Sequence, residues 1–268
     1  MMVPFREAAA PVRLAAAESG RRASGTRDPL DSPMWNDMAK RYLGGKPYVF
    51  DDRVQVMLPH VTEDQTQVPI GVDARELGRA DEIVMIVDLH PFPRVLRVEP
   101  VAGSAFVAYR QKIEQGTPVR AAVRQGGQWF VGGRYLDAAG GGCSVPPAVA
   151  KVIDWDHIGQ TRGRVWREAD GSLRLRLRVI HPMDNGMINN IPAFFIETLD
   201  VADAAGNPLA KLELSEAVSE NPTVTLMVEA PKDGDVLKVA ARDNNGGLFK
   251  SNVPIPPASA GHVREGRL

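Results

Sequence analysis

With 268 residues, the chain is long enough for two small domains, each with its own core. A hydrophobic share of 44% and a charged share of 24% are those of ordinary globular protein, and no stretch approaches the ~20 apolar residues that span a bilayer as a helix. The formal net charge of -1 argues against nucleic-acid binding through a whole-protein basic field.

Residues 1–27 are rich in Ala and Arg, and Glu7, Arg13 and Glu18 interrupt any apolar run. They are expected to form a disordered tail without a clear secretory signal. Asp31 and Ser32 ahead of Pro33 are the cap and first-turn signals of a short amphipathic helix, predicted to run to about Leu43 and to be closed by Gly44 and Gly45. From Arg53 the pattern changes to alternation and β-branched residues, which predicts strands at 54–58, 68–72, 83–87, 95–98, 105–111, 119–123 and 128–135. Turn residues such as Gly103 and the pair Gly126 and Gly127 separate them.

Pro146 and Pro147 open a linker over 148–162, with a helical turn expected around 153–158. Strands are then predicted at 163–167, 173–180, 194–201, 209–214, 223–228, 236–241 and 248–253, with turns at 184–186, 206–208 and 245–246. Arg174, Arg176 and Arg178 alternate with leucines, the pattern of a strand with one wet face. Short strands without long helices between them predict an all-β fold: two immunoglobulin-like antiparallel β-sandwich domains, 28–147 and 163–254, with a short N-terminal helix. Their open strand edges are expected to pair the two. Residues 255–268, which begin with proline-rich chain, are expected to be a disordered C-terminal tail.

Cys143 is the only cysteine, so no internal disulfide exists, and a disulfide would have to join two chains or a small thiol. One thiol leaves the compartment undecided. Cys143 follows Gly140, Gly141 and Gly142 and precedes Ser144, in the least globular-looking segment between the two β regions. Three glycines are costly to order, whereas a flexible segment needs no such compensation. Fully extended, the chain from Asp137 would carry the sulfur roughly 20 Å. No neighbouring His or Lys in the sequence depresses the thiol pKa from about 8.5. The alternative is that Cys143 packs as a small buried hydrophobe.

His60, His90, His157, His181 and His262 have no His or Cys at zinc-site spacing, so neither a metal nor another cofactor is expected. His181 with Asp184 suits a loop hydrogen-bond role. Trp129, Phe130, Phe194 and Phe195 have core-like neighbours. No phosphate loop, nucleotide fingerprint or serine elbow appears. A cysteine–histidine hydrolase stays open as a reading, although a nucleophile on three glycines lacks rigid positioning. So does a non-covalent adaptor in which Cys143 is incidental.

Gly141-Gly142-Cys143, residues 178–184 (Arg-Val-Ile-His-Pro-Met-Asp), 191–196 (Ile-Pro-Ala-Phe-Phe-Ile) and 219–222 (Ser-Glu-Asn-Pro) resemble SoxYZ, the sulfur-compound carrier of thiosulfate oxidation. The resemblance covers nearly all of 28–253. Residues 28–35, 47–53 and 137–143 look like the fused SoxYZ-like carriers associated with quinoprotein dehydrogenases. It implies a non-enzymatic periplasmic carrier that holds a sulfur-containing intermediate covalently on Cys143, with Gly140, Gly141, Gly142 and Ser144 as the flexible segment. Implied partners are sulfur-oxidising enzymes or a quinoprotein dehydrogenase, whose quinone cofactor would be the partner's; a disulfide-linked homodimer through Cys143 is a further expectation. In the separate carrier the cysteine lies almost at the chain end, whereas here Ser144, Val145 and two prolines follow, so Cys143 is tethered on both sides.

Overall fold

The computed structural model describes residues 24–144, 155–187, 192–231 and 234–257. The expectations for most of the N-terminal tail, for linker residues 148–154 and for the last residues of the chain lie outside these.

Helix α1 (Trp35–Tyr42) begins two residues after the predicted first turn at Pro33, with Met34 rather than Ser32 at the cap position. Asp28 accepts the amides of Leu30 and Ser32 at 3.1 and 2.8 Å, and the Ser32 hydroxyl accepts the amide of Met34 at 3.3 Å, which fixes the turn that leads into the helix. Gly44 and Gly45 stop it with φ of 64° and 68°, a conformation that costs a glycine little. The buried face of Trp35, Met38 and Ala39 packs against Phe50, Val84, Ile86, Ala122, Trp129 and Val131.

The first half supplies strands β1 (Ser24–Gly25), β2 (Tyr48–Asp51), β3 (Gln55–Met57), β4 (Val68–Asp73), β5 (Glu82–Val87), β6 (Arg94–Glu99), β7 (Gly103–Gln111), β8 (Thr117–Gln125) and β9 (Gln128–Leu136). A 3-10 turn at Trp155–His157 lies where the helical turn was expected. The second half supplies β10 (Thr161–Arg167), β11 (Leu173–Val179), β12 (Ile196–Ala202), β13 (Pro208–Leu214), β14 (Thr223–Val228), β15 (Val236–Asp243) and β16 (Leu248–Pro254). In β11 Leu173, Leu175, Leu177 and Val179 point inward and the three arginines outward, the period of two that one buried face imposes. β5 is buried throughout because α1 covers its second face.

Among the described residues the strands form a 10-stranded sheet, ordered β1-β2-β9-β8-β5-β6-β13-β12-β15-β16, and a 6-stranded sheet, ordered β10-β11-β14-β7-β4-β3. The halves join edge to edge in both: β6 pairs with β13, as in Val98 opposite Leu212, and β7 with β14, as in Val107 opposite Leu226. One hydrophobic core runs through both halves. Arg94 and Arg97 of β6 both bond Glu213 of β13, at 2.9 and 2.7 Å, across this seam.

Two features depart from the sequence expectation. β2 pairs with β9 in parallel, Tyr48 opposite Trp129, so the sheet is not antiparallel throughout. A parallel pair needs a long crossover, and here the rest of the first half separates its two strands. The second feature is Arg120, fully buried in the middle of β8. Its guanidinium bonds both oxygens of Asp28 at 2.7 Å and those of Asp88 at 3.0–3.1 Å, and lies 4.6 Å from the Trp35 ring centroid. This cluster fastens the start of α1 to the sheet.

Candidate functional site

After β9 the chain turns along the end of the first half and lies against two other loops. The amide of Gly141 donates to the Glu114 carbonyl at 3.0 Å and that of Gly142 to the Ile113 carbonyl at 2.9 Å. Gly140 and Gly141 have φ of 102° and 89°. A Cβ on Gly142 would strike the main-chain oxygens of Gln65 and Ile113. The glycines therefore serve backbone-to-backbone contact here. The segment Gly140, Gly141, Gly142 and Ser144, expected to be unsupported, is docked, because amides that a loose segment would leave to water are bonded to protein.

Cys143 is wholly buried. Its amide donates to Glu114 Oε2 at 2.9 Å, and the Ser144 hydroxyl donates to Glu114 Oε1 at 2.7 Å. Its carbonyl accepts Asn185 Nδ2 of the second half at 2.9 Å. Its Sγ lies 3.2 Å from His90 Nε2. The Phe92 amide donates to His90 Nδ1 at 3.0 Å, which assigns the ring proton to Nε2. That proton faces both the Lys112 carbonyl, at 3.0 Å, and the sulfur. His90 is thus a donor to sulfur, not a base for the thiol.

Burial pushes the Cys143 thiol up to about 12; the nearby Lys112 charge opposes this and Glu114 adds to it. Burial likewise lowers His90 to about 4, against the hydrogen bonds from its main-chain partners, which keeps the ring neutral. Lys112 is brought down to about 8 by burial, with Cys143 and the surrounding carboxylates pulling the other way. Its ammonium donates to the carbonyls of Met183 and Glu216, at 2.5 and 2.8 Å, and so ties the cysteine's neighbourhood to the second half. Met183 has φ of 49°, a left-handed backbone that the second-half loop holds in place.

His181 takes the loop role expected of it: Nδ1 accepts the Met183 amide at 3.1 Å, and its main chain exchanges bonds with Asn221. Its Nε2, and Nε2 of Gln111, are buried without a hydrogen-bond partner among the described residues. His181 and Met183 of the second-half motif thus lie in the loop that carries Asn185 to Cys143. Trp129 packs with α1 and Phe195 against the main core, as their neighbours suggested. Among the described residues no group of three or more His, Cys, Asp or Glu is placed to hold a metal ion. No described helix is long and apolar enough to cross a membrane.

His90, Glu114, Lys112 and Asn185 escaped the sequence reading. His90, Glu114 and Asn185 stand 53, 29 and 42 residues from the cysteine, and loops of the two halves bring them together. The available signal was Asn185 inside a predicted turn next to a recognised motif.

The Lys112 ammonium nearby favours negative charge on sulfur, but burial outweighs it and holds Cys143 as the thiol. Among the described residues, none that hydrogen-bonds Cys143 is placed to take its proton, and the residue is fully buried.

Two family models match separate stretches of the chain. The family model for the sulfur oxidation protein SoxY matches residues 39–143, ending on the cysteine itself, and the model for the sulphur oxidation protein SoxZ matches residues 164–254. No curated protein matches. Among solved structures, the sulfur carrier protein SoxY from Chlorobium limicola f thiosulfatophilum is similar at 20% identity over 39% of this chain and 94% of that one, with a TM-score of 0.35. A glycosyl hydrolase family 2 member from Bacteroides cellulosilyticus DSM 14838 is similar at 11% identity over 73% of this chain, with a TM-score of 0.21. A beta-glycosidase from Bacteroides vulgatus is similar at 11% identity over 78% of this chain, also with a TM-score of 0.21. The chain spans only 25% of each of those two. The SoxY and SoxZ matches together take in most of the sequence, and the chain belongs with the SoxY and SoxZ sulfur-oxidation proteins, carrying both domains fused in one polypeptide.

Proposed function

We propose that the chain is a carrier whose Cys143 holds a sulfur-containing group covalently, and that the docked segment is its resting pose. The observation that carries the reading is the clasp on Cys143: Glu114 of the first half and Asn185 of the second hold its main chain, while among the described residues His90 is the hydrogen-bond partner of its sulfur. A cysteine kept only for packing needs apolar neighbours, not a histidine N–H and a buried ammonium.

In this reading the segment lifts, water reaches the thiol, and the pKa returns toward its ordinary value of about 8.5. Loading of thiosulfate then joins Sγ to the terminal sulfur in an S–S bond. The thiol proton leaves to solvent, and two electrons pass to an acceptor in a redox partner enzyme. The second half sets how firmly the segment is held. A periplasmic setting and service to a quinoprotein dehydrogenase belong to the same reading through residues 28–35 and 47–53; the quinone chemistry would be the partner's.

The test is exchange with tetrathionate, in which the Cys143 thiolate displaces thiosulfate and keeps the remaining sulfonate-bearing sulfur. Intact mass should show one addition per chain, removed by reductant and absent in Cys143→Ser. A thiol that resists tetrathionate in both the native protein and a variant with the clasp removed contradicts the carrier reading.

A further inference from the structure

The outer face of the 6-stranded sheet carries arginines that the fold does not use. Arg162 and Arg164 of β10 stand directly opposite Arg178 and Arg176 of β11. All four are exposed, as is Arg110 of β7. Like charges facing each other across a strand pair weaken a sheet. Nearby, the same sheet does balance charge: Arg174 bonds Glu168 at 2.8 Å. Among the described residues Arg110, Arg162, Arg176 and Arg178 form no ion pair. They line a groove of about 630 Å³ in which Glu220 is the single carboxylate.

The groove shares Gln67 with the loop that packs on Gly142. Gln67 at its end donates to the Glu220 carbonyl at 3.5 Å, and Ser219 bonds both Thr66 and the carbonyl of Arg110. Two residues before Gln67, the Gln65 carbonyl accepts Ile113 and packs on Gly142. The face and the cysteine segment thus share one loop, residues 65–67.

We propose that this face is the docking surface for an acidic patch on the protein that exchanges cargo with Cys143. The inference rests on the carrier reading for the identity of that protein, and on the sheet for its chemistry. Three strand spacings separate β10 from β7, about 14 Å, which suits a carboxylate-studded surface better than one small anion. A single-stranded nucleic acid would want a free aromatic platform. The one tryptophan in the groove, Trp166, already has the guanidiniums of Arg164 and Arg174 over its ring, at 5.1 and 4.7 Å from the centroid.

The test uses the full chain and a fluorescein-labelled decaglutamate peptide as probe, read by anisotropy at about 50 mM salt, where screening is modest. Arg162→Gln, Arg176→Gln and Arg178→Gln together should weaken binding about ten-fold. Lys40→Gln, Lys238→Gln and Lys250→Gln, which remove the same charge from exposed sites elsewhere, should weaken it less than about two-fold. Equal loss in both variants, or no binding by the unaltered chain, overturns the proposal. Tighter binding of a thymidine decamer through the same arginines makes the face a nucleic-acid site and overturns it too.

Relief of the opposed arginine pairs should leave the unfolding midpoint unchanged or raise it; a fall gives them a structural role and counts against docking. Tetrathionate loading of Cys143 in the arginine variant should match that of the unaltered chain. Absent loading in both defeats the carrier reading while the peptide result stands by itself.

Discussion

Asn185 Nδ2 donates to the main-chain oxygen of Cys143 at 2.9 Å, so a residue of the second half grips the cysteine that closes the first. Glu114 holds the amide of the same cysteine, so side chains of both halves grip it beside the main-chain bonds of Gly141 and Gly142.

Removing the grip should free the thiol. Hydrogen bonds to a carboxylate contribute about 1.5–3 kcal/mol each and neutral ones about 1. Asn185→Ala should therefore raise the rate of Cys143 labelling by a maleimide about five-fold and Glu114→Ala, which loses two such bonds, about a hundred-fold or more, the double variant most, with little change in unfolding midpoint. Equal rates in all four proteins would mean that the segment is not held by these bonds.

Gly142→Ala should have the same outcome by another route. The added methyl meets the main-chain oxygens of Gln65 and Ile113, which cannot retreat without moving two loops. The segment should undock while the core is kept. Labelling faster than in the unaltered chain, with a circular dichroism spectrum that does not change, is the expected result.

Arg120→Lys should destabilise the fold by ~3–5 kcal/mol in urea unfolding. Lysine carries one point of charge and cannot hold Asp28 and Asp88 together, which leaves a carboxylate buried without its partner. The start of α1 should loosen first, seen as faster amide exchange over Leu30 and Ser32.

Stability should fall as the solution is acidified from about pH 6.5 to 4. Burial is the largest cause holding both His90 and His181 down to about 4. In that window the unfolded chain binds protons that the folded chain does not, so stability rises with pH across it. Each histidine is worth on the order of 3 kcal/mol. Lys112 and Cys143 act only above about pH 8. Urea midpoints at pH 7 and pH 4.5 measure the fall, and His90→Gln should remove about half of it.

Most strands were legible because periodicity is local: β11 declares its buried and wet faces within seven residues. The helix was legible for the same reason, through Ser32, Pro33 and the two glycines. The parallel pairing of β2 with β9 was not, since it depends on where a strand lands after a long excursion. The cysteine itself stood out by its glycines, but those glycines were read as freedom when in this structure they permit close approach. His90, Lys112, Glu114 and Asn185 left no mark near Cys143 because loops far apart in sequence assemble them. Arg120 was hidden likewise: a charge in a strand shows its burial only through Asp28 and Asp88.

The most direct measurement is the intact mass of the protein purified without reductant from its own cells, grown with and without thiosulfate. Covalent carriage predicts a reductant-labile addition on thiosulfate-grown material, mapped by fragmentation to Cys143 and missing from Cys143→Ser. An unmodified thiol under both conditions, in protein whose Cys143 labels readily once Glu114 and Asn185 are replaced, would contradict it.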